Sequence, residues 1–102
     1  MYDLKNLDKM KHLEANAFEA MKGFVAFDKA AFAEGAIPVK YKELMAIAVA
    51  CTTQCPYCIE LHTDKARKMD ASDQEIAETV LVAAALRAGG AITHGTHVMR
   101  GG

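Results

Sequence analysis

The chain contains 102 residues, with 12 lysine and arginine residues against 13 aspartate and glutamate residues. This balanced charge leaves no basic surface for DNA, RNA or an anionic bilayer, so we expect neither nucleic acid nor a membrane as a partner. We find no signal-like basic and apolar segment at the start of the sequence, and no run approaching the roughly 20 apolar residues of a membrane span. These observations predict a soluble cytoplasmic protein.

Size and composition predict one compact all-α domain over residues 1–102. Apolar residues make up 52% of the chain, yet there are only four Phe, three Tyr and no Trp. A core of Ala, Leu, Ile, Val and Met suits packed helices better than a β-sandwich. Because so small a domain has a modest core, further burial in a homo-oligomer is expected.

The N-terminal third has the periodicity of a helix. Its apolar residues recur every three or four positions, which predicts a helix with one buried face. We expect a break at Gly23 and an end near Gly35. The apolar stripe consists of Leu4, Leu7, Met10, Leu13, Ala17, Met21, Phe24 and Val25.

A second helix is predicted over about residues 40–53. Pro38 suits the first position of a helix, where its missing N–H costs nothing. After Glu43 this segment is apolar almost all round, so we expect it to be buried on most sides. Residues 52–54 would then form a bend.

A third helix is predicted from Pro56 to about residue 69, again with proline in its first turn. Cys55 then occupies the N-cap, the residue just before the helix, and Cys58 lies in the first turn. Further on, Ser72 and Glu75 have the spacing of a capping box. The helix that follows is expected to end at Gly89-Gly90, with one more short helical piece in residues 91–100.

The residues with chemical potential are Cys55, Cys58, His62 and Glu43. One thiol can attack as thiolate, the other can resolve the product as a disulfide, and His with Glu can move protons. The partial positive charge of a helix start is expected to lower the pKa of both thiols. By this physics alone, Cys55 is favoured as the nucleophile.

The contact between Glu43 and His62 stays open at this level. Twelve residues separate Glu43 from Cys55, which is roughly 18 Å along a helix. Simple antiparallel packing does not clearly bring the carboxylate to the imidazole, although a water could bridge them. Glu43 could equally be an exposed carboxylate in the first turn of its helix.

The pattern Glu43, Cys55, Cys58 and His62 resembles the signature of the alkylhydroperoxidase D family within the carboxymuconolactone decarboxylase-like superfamily. The segments K-E-L-M-A-I-A-V-A before the thiols and A-L-R-A-G-G near the end resemble the same family. The likeness covers roughly residues 20–95. One departure is Tyr57, which stands where some members have a second His between the cysteines.

This resemblance implies an all-α homotrimer or homohexamer that reduces hydroperoxides without a bound cofactor or metal. It implies that Cys58 is the peroxidatic thiol, that Cys55 resolves it, and that Glu43 with His62 relays the proton. The implied partners are a hydroperoxide and an external dithiol of the lipoyl or thioredoxin type. The decarboxylase branch lacks paired thiols, which argues against lactone decarboxylation.

Two alternatives remain beside the peroxidase. The chain could be a general disulfide oxidoreductase, or a non-enzymatic zinc-binding interaction module that uses Cys51, Cys55, Cys58 and His62. Three adjacent turns around one bend are poorly suited to surround an ion tetrahedrally, and Cys51 is better explained as a small core residue. His94 and His97 are expected in a solvated tail or a subunit contact.

Overall fold

The structure is a computed structural model that describes residues 3–101, and this part of the chain is helical without any β-strand. It therefore confirms the predicted all-α class. A 3₁₀-helix precedes the first α-helix and another follows the last. In chain order the elements are the 3₁₀-helix Leu4–Lys9, α1 Met10–Asn16, α2 Phe18–Phe32, α3 Val39–Thr53, α4 Pro56–Lys68, α5 Asp73–Gly95 and the 3₁₀-helix Thr96–Val98.

The core lies where α3 packs against both α4 and α5. Ile47 is 2% exposed and meets the fully buried Ala66 and the buried Ala71. Leu44, Cys51 and Ile76 pack around them as partly buried neighbours. Small alanine side chains let the helix backbones approach closely, as the composition predicted. Cys51 is a partly buried neighbour of this core, in agreement with its predicted structural role.

The α1–α2 segment forms an arm that makes few contacts with the rest of the chain. The radius of gyration is 17.3 Å, whereas a compact chain of this length has a radius of about 13 Å. The overall dimensions are 55 × 34 × 31 Å. One chain therefore does not fold into a sphere around a single closed core.

Much of the apolar surface remains exposed as a result. The arm is helical as predicted, but Phe27 is 71% exposed, and on α5 Ile92 is 75% exposed. On α3, Tyr41, Met45 and Val49 are also exposed, so the prediction that this helix is buried on most sides is wrong for one chain. Apolar patches of this kind mark interaction surfaces.

Two predicted breaks are also wrong. Gly23 lies inside α2, and the break occurs earlier at Ala17, whose backbone leaves the helical region with φ −144° and ψ 59°. Gly89 and Gly90 do not end α5, which continues to Gly95. Glycine costs only about 0.5–1 kcal/mol inside a helix, and surrounding helical residues outweigh that cost. The predicted last helical piece is the 3₁₀-helix Thr96–Val98.

The uninterrupted α5 corrects another expectation. With the turn that follows, Asp73–Val98 is the one helical segment within residues 3–101 that is long and apolar enough to cross a membrane, judged by length and composition. Its most apolar 18-residue stretch has a mean hydropathy of 1.4, and only 6% of that stretch is buried. One such helix is weak evidence for a membrane span, since helices of soluble proteins pass the same test.

The capping box at the start of α5 is confirmed. The Ser72 hydroxyl accepts a hydrogen bond from the Glu75 backbone N–H at 3.1 Å, and the Glu75 carboxylate accepts one from the Ser72 N–H at 2.9 Å. Lys40 of α3 adds an ion pair to Glu75 at 3.0 Å. The Ser72 N–H, and next the Lys40 ammonium, lower the pKa of Glu75 below its ordinary value.

We predict that Ser72→Ala lowers the free energy of unfolding by about 0.5–2 kcal/mol, because it removes the hydrogen bond to the Glu75 N–H. Ser72→Thr keeps a hydroxyl and should lose much less. Urea denaturation at one fixed protein concentration and neutral pH would measure both variants. Equal stability of the Ala and Thr variants would contradict a capping role for the hydroxyl.

Candidate dithiol site

A sharp reversal between α3 and α4 positions the site. Gln54 takes the left-handed conformation with φ 59° and ψ 41°, within the predicted bend. The Cys55 N–H then folds back to donate to the Ala50 carbonyl at 3.1 Å, in the manner of a Schellman motif. Arg87 of α5 donates to the nearby Thr52 carbonyl at 3.1 Å. The start of α4 therefore lies beside Ala50, about one turn before the end of α3.

Cys55 is the N-cap of α4, as predicted from the sequence. Its backbone is extended, with φ −93° and ψ 102°, and its Sγ accepts a hydrogen bond from the Cys58 backbone N–H at 3.3 Å. Pro56 occupies the start of the helix, where its ring fits without loss of a hydrogen bond. Cys58 follows in the first turn. Both thiols are half-buried and free of disulfide bonds.

The two thiols share a hydrogen bond, with 2.9 Å between the sulfur atoms. The Cys58 thiol and the Cys58 backbone N–H stabilise the Cys55 thiolate and lower the pKa of Cys55. The same shared bond raises the pKa of Cys58 to about 11, with added effects of burial and of the Asp28 charge. The prediction that the helix start lowers both pKa values is therefore wrong for Cys58, because the bond shared with Cys55 and burial outweigh the lowering effect of the backbone N–H.

Glu43 and His62 are in direct contact, with 2.6 Å between Glu43 Oε2 and His62 Nδ1. Glu43 is only 4% exposed, so it is not the exposed first-turn carboxylate of the alternative interpretation. The fold-back explains the contact. Glu43 lies seven residues before Ala50, and His62 lies seven residues after Cys55, so the hydrogen bond between Ala50 and Cys55 sets both side chains at one level.

The imidazole of His62 is held from two sides. A carboxylate only accepts hydrogen bonds, so Nδ1 donates to Glu43, and in a neutral imidazole Nε2 then carries the free lone pair. The Phe32 ring stacks on the imidazole, with 5.1 Å between centroids and 10° between planes. Within residues 3–101 no hydrogen bond joins His62 to Cys58. Proton transfer between them therefore requires a water, a substrate atom or a small movement.

Cys58 and His62 line one cavity of about 520 Å³, whereas Cys55 and Glu43 do not. The wall is apolar and comes from α2, α3 and the segment between them. Besides the thiol and the imidazole, its residues include Phe32, Ile37, Met45 and Val49. Among residues 3–101, Lys42 is the only Lys, Arg, Asp or Glu on this wall. Cavities of roughly 300–1,000 Å³ hold small organic ligands.

The residues of the zinc alternative are not gathered into one ligand set. In the described part of the chain, no three Cys, His, Asp or Glu side chains come close enough to hold a metal ion. Cys51 packs on the apolar core and His62 is bonded to Glu43. His94 and His97 are exposed and meet edge to face, with 5.3 Å between ring centroids.

Comparison with known proteins shows the family of the chain. The model of the carboxymuconolactone decarboxylase family matches residues 19–101. The chain belongs to this family. Two solved structures are similar to this carboxymuconolactone decarboxylase family member. A protein of the same family from Legionella pneumophila, solved in the apo form, has 33% identity and a TM-score of 0.75 over 80% of this chain and 73% of that one.

The second structure is a protein from Methanobacterium thermoautotrophicum, with 27% identity and a TM-score of 0.81 over 86% of this chain and 99% of that one. Among curated sequences, an uncharacterised protein of the cox locus of Paracoccus denitrificans is 48% identical over 71 residues, which cover 70% of this chain and 64% of that protein. An uncharacterised protein of Cupriavidus necator is 35% identical over 63 residues, which cover 62% and 56%. The matched part of this family member spans less than two thirds of either curated relative.

Three residues around the site were not found from the sequence. Phe32 was not singled out in the sequence, yet it stacks on His62. Asp28 acts on the Cys58 thiol from the arm, and no spacing rule relates the two. Tyr57 was noted for its place between the cysteines, but not for its hydroxyl, which accepts a hydrogen bond from the Asn6 amide at 3.1 Å. All three links are long-range contacts that depend on how the helices pack.

We predict that the two thiols titrate as a pair, one below the ordinary cysteine pKa and one near 11. The measurement is ultraviolet thiolate absorbance against pH in a Cys51→Ala background, which leaves only this pair. Cys55→Ser should lower the pKa of Cys58 because it removes the largest cause of its increase. Cys58→Ser should raise the pKa of Cys55 for the converse reason. Two thiols that titrate independently of each other's replacement would contradict the shared hydrogen bond.

Proposed function

We propose that the chain is a thiol-dependent peroxidase that reduces organic hydroperoxides with the Cys55–Cys58 dithiol. The observation that carries this proposal is that Cys58 and His62 line the same apolar cavity, with Cys55 only 2.9 Å behind Cys58. A substrate in the cavity therefore meets one thiol and one imidazole. The Cys55 thiol does not line the cavity, but it lies close enough to react with the Cys58 sulfur.

In the first step the Cys58 thiolate attacks the outer oxygen of the hydroperoxide. The O–O bond breaks, the sulfur becomes a sulfenic acid, and the alkoxide takes a proton to leave as an alcohol. In the second step the Cys55 thiolate attacks the Cys58 sulfur. A disulfide forms, and the hydroxyl leaves as water after taking a proton.

An external dithiol of the lipoyl or thioredoxin type supplies two electrons and two protons to restore both thiols by exchange. Cys55 is the reasonable point of attack for this reductant, because it does not line the substrate cavity. Its lowered pKa also suits it to the resolving step, since a lower pKa increases the fraction of Cys55 present as the attacking thiolate.

The high pKa of Cys58 makes proton removal the limiting requirement of the first step. We assign this task to His62, whose Nε2 side is free while Nδ1 is held by Glu43. Glu43 fixes the tautomer and stabilises the imidazolium that forms, so it acts as a positioning residue. The proton can then return to the leaving alkoxide.

The exposed apolar faces of α2, α3 and α5 support assembly of several copies, and we propose a homotrimer or homohexamer in the cytoplasm. These faces include Phe24 and Phe27 on the arm and Leu81, Leu86 and Ile92 on α5. Like faces on identical chains can cover one another in a closed ring. The apolar character of α5 is then explained by subunit contact without a membrane.

General disulfide exchange is the second candidate function. It is favoured by one observation, the lowered pKa of Cys55 at a helix N-cap, which is the usual position of an attacking thiol in dithiol oxidoreductases. This function would need neither the cavity nor the pair of Glu43 and His62. The following variants therefore distinguish it from peroxide reduction.

We predict that one equivalent of an organic hydroperoxide converts Cys55 and Cys58 into a disulfide and leaves Cys51 free. Cys58→Ser should abolish peroxide consumption. Cys55→Ser should allow a single turnover that ends in a trapped sulfenic acid, since only the resolving step is lost. Peptide mapping and mass spectrometry would follow the products. Equal residual activity of both variants would reject the assigned roles, and a bridge to Cys51 would reject the site.

We predict that His62→Gln and Glu43→Gln slow the single-turnover oxidation of Cys58 by about 10²–10⁴-fold near neutral pH, the usual effect of a positioned acid–base group. The defect should narrow as the pH rises towards the pKa of Cys58 near 11, because the thiol then ionises unaided. Stopped-flow measurement from neutral to alkaline pH, with helicity and oligomer size as controls, tests this dependence. A defect of constant size would indicate structural damage and would reject the relay.

A further inference from the structure

The cavity contains one charged group that the proposed chemistry does not use. Lys42 of α3 lines its wall among apolar side chains, together with Cys58 and His62. Its ammonium donates a hydrogen bond to the Ala33 carbonyl at 2.5 Å, at the end of α2. An ammonium carries three N–H donors, so this bond leaves two donors for a ligand.

Lys42 also has no acidic partner within residues 3–101. Four ion pairs occur there, and they engage Lys40, His62, Arg67 and Lys68 instead. The nearest carboxylate along the chain, Glu43, is already bonded to His62. A positive charge in an apolar wall attracts an anion that occupies the cavity, and the attraction strengthens as the apolar part of the ligand displaces water.

The position of Lys42 determines how an anionic ligand would be oriented in the cavity. Lys42 marks one end, near the segment that joins α2 and α3. Cys58 lines the same wall from α4, on the side of the bend. An anionic group is therefore attracted towards Lys42, away from the sulfur. This orientation presents the uncharged end of the ligand to the thiol.

We propose that the cavity binds amphipathic carboxylates, and that the peroxide substrate is an alkyl hydroperoxide with a carboxylate at its far end, anchored by Lys42. The peroxide chemistry in this inference rests on the proposed function, whereas the anchoring does not. Lys42 is a specificity-determining residue in this scheme and takes no part in proton or electron transfer.

The helix register sets a minimum length for this substrate. Glu43 and His62 lie at one level, and Cys58 lies four residues closer to the bend, which is about 6 Å along the helix. Lys42 lies one residue further in the opposite direction. Its side chain leans towards the start of α3, as helical side chains do, which adds to the separation. The carboxylate and the hydroperoxide must therefore be several carbon atoms apart.

Binding of decanoate and of 1-decanol to the full chain tests the anchoring without any peroxide. Calorimetry below the micelle concentration would compare the parent with Lys42→Gln, Lys42→Arg and the control Lys40→Gln. We expect decanoate to bind more tightly than decanol. Lys42→Gln should weaken decanoate binding about ten-fold or more, the effect of losing one charge-assisted hydrogen bond, and should leave decanol binding unchanged. Lys42→Arg should retain decanoate binding, and Lys40→Gln should not alter either ligand.

Equal loss of both ligands in Lys42→Gln would show a structural role at the Ala33 carbonyl and would overturn the inference. No preference of the parent for decanoate, or no binding, would overturn it as well.

A kinetic experiment compares a fatty-acid hydroperoxide with its methyl ester. Lys42→Gln should raise KM for the acid about ten-fold and leave KM for the ester and both kcat values unchanged. If decanoate binds as expected but neither hydroperoxide is consumed, the anchoring stands and the peroxidase proposal fails.

Discussion

The left-handed turn at Gln54 is the constraint on which the rest of the site depends. It lets the Cys55 N–H reach the Ala50 carbonyl, and this one hydrogen bond sets the register of α4 against α3. The register then pairs a carboxylate on one helix with an imidazole on the other and leaves Cys55 at a helix N-cap. A shift of one residue would rotate each side chain by about 100° around its helix and separate the pair.

The pair of Glu43 and His62 gives the small core a polar centre. A carboxylate that is 4% exposed loses most of its hydration, and its hydrogen bond to His62 compensates for that loss. Stability alone would be better served by apolar residues at these positions, since buried ion pairs rarely stabilise more than good packing does. This cost to stability is expected if the pair serves the proposed proton transfer.

Local rules were sufficient for much of the fold and for the local structure around the candidate site. The N-cap at Cys55, proline at the start of α4 and the capping box at Ser72 each involve neighbours in sequence, and each was predicted. The contact of Glu43 with His62 was left open because the distance of Glu43 from the turn was counted from Cys55. The turn folds back and sets Cys55 beside Ala50, which shortens that distance. The unequal pKa values of the thiols follow from a hydrogen bond between side chains, which helix position alone does not determine. α5 continues through Gly89-Gly90 because the summed helix preference of its other residues outweighs the cost of two glycines.

If copies of the chain assemble as proposed, the extended arm makes the integrity of the site depend on protein concentration. Phe32, which stacks on the imidazole, lies at the last position of α2, and the remainder of that helix keeps large aromatic side chains in water. An arm of this kind is held in place chiefly by whatever covers its apolar face. If other copies of the chain do so, dilution below the assembly concentration frees the arm, loosens the wall of the cavity and withdraws the ring from His62. Catalytic competence would then vary with protein concentration, even though the thiols, the imidazole and the carboxylate all belong to one chain.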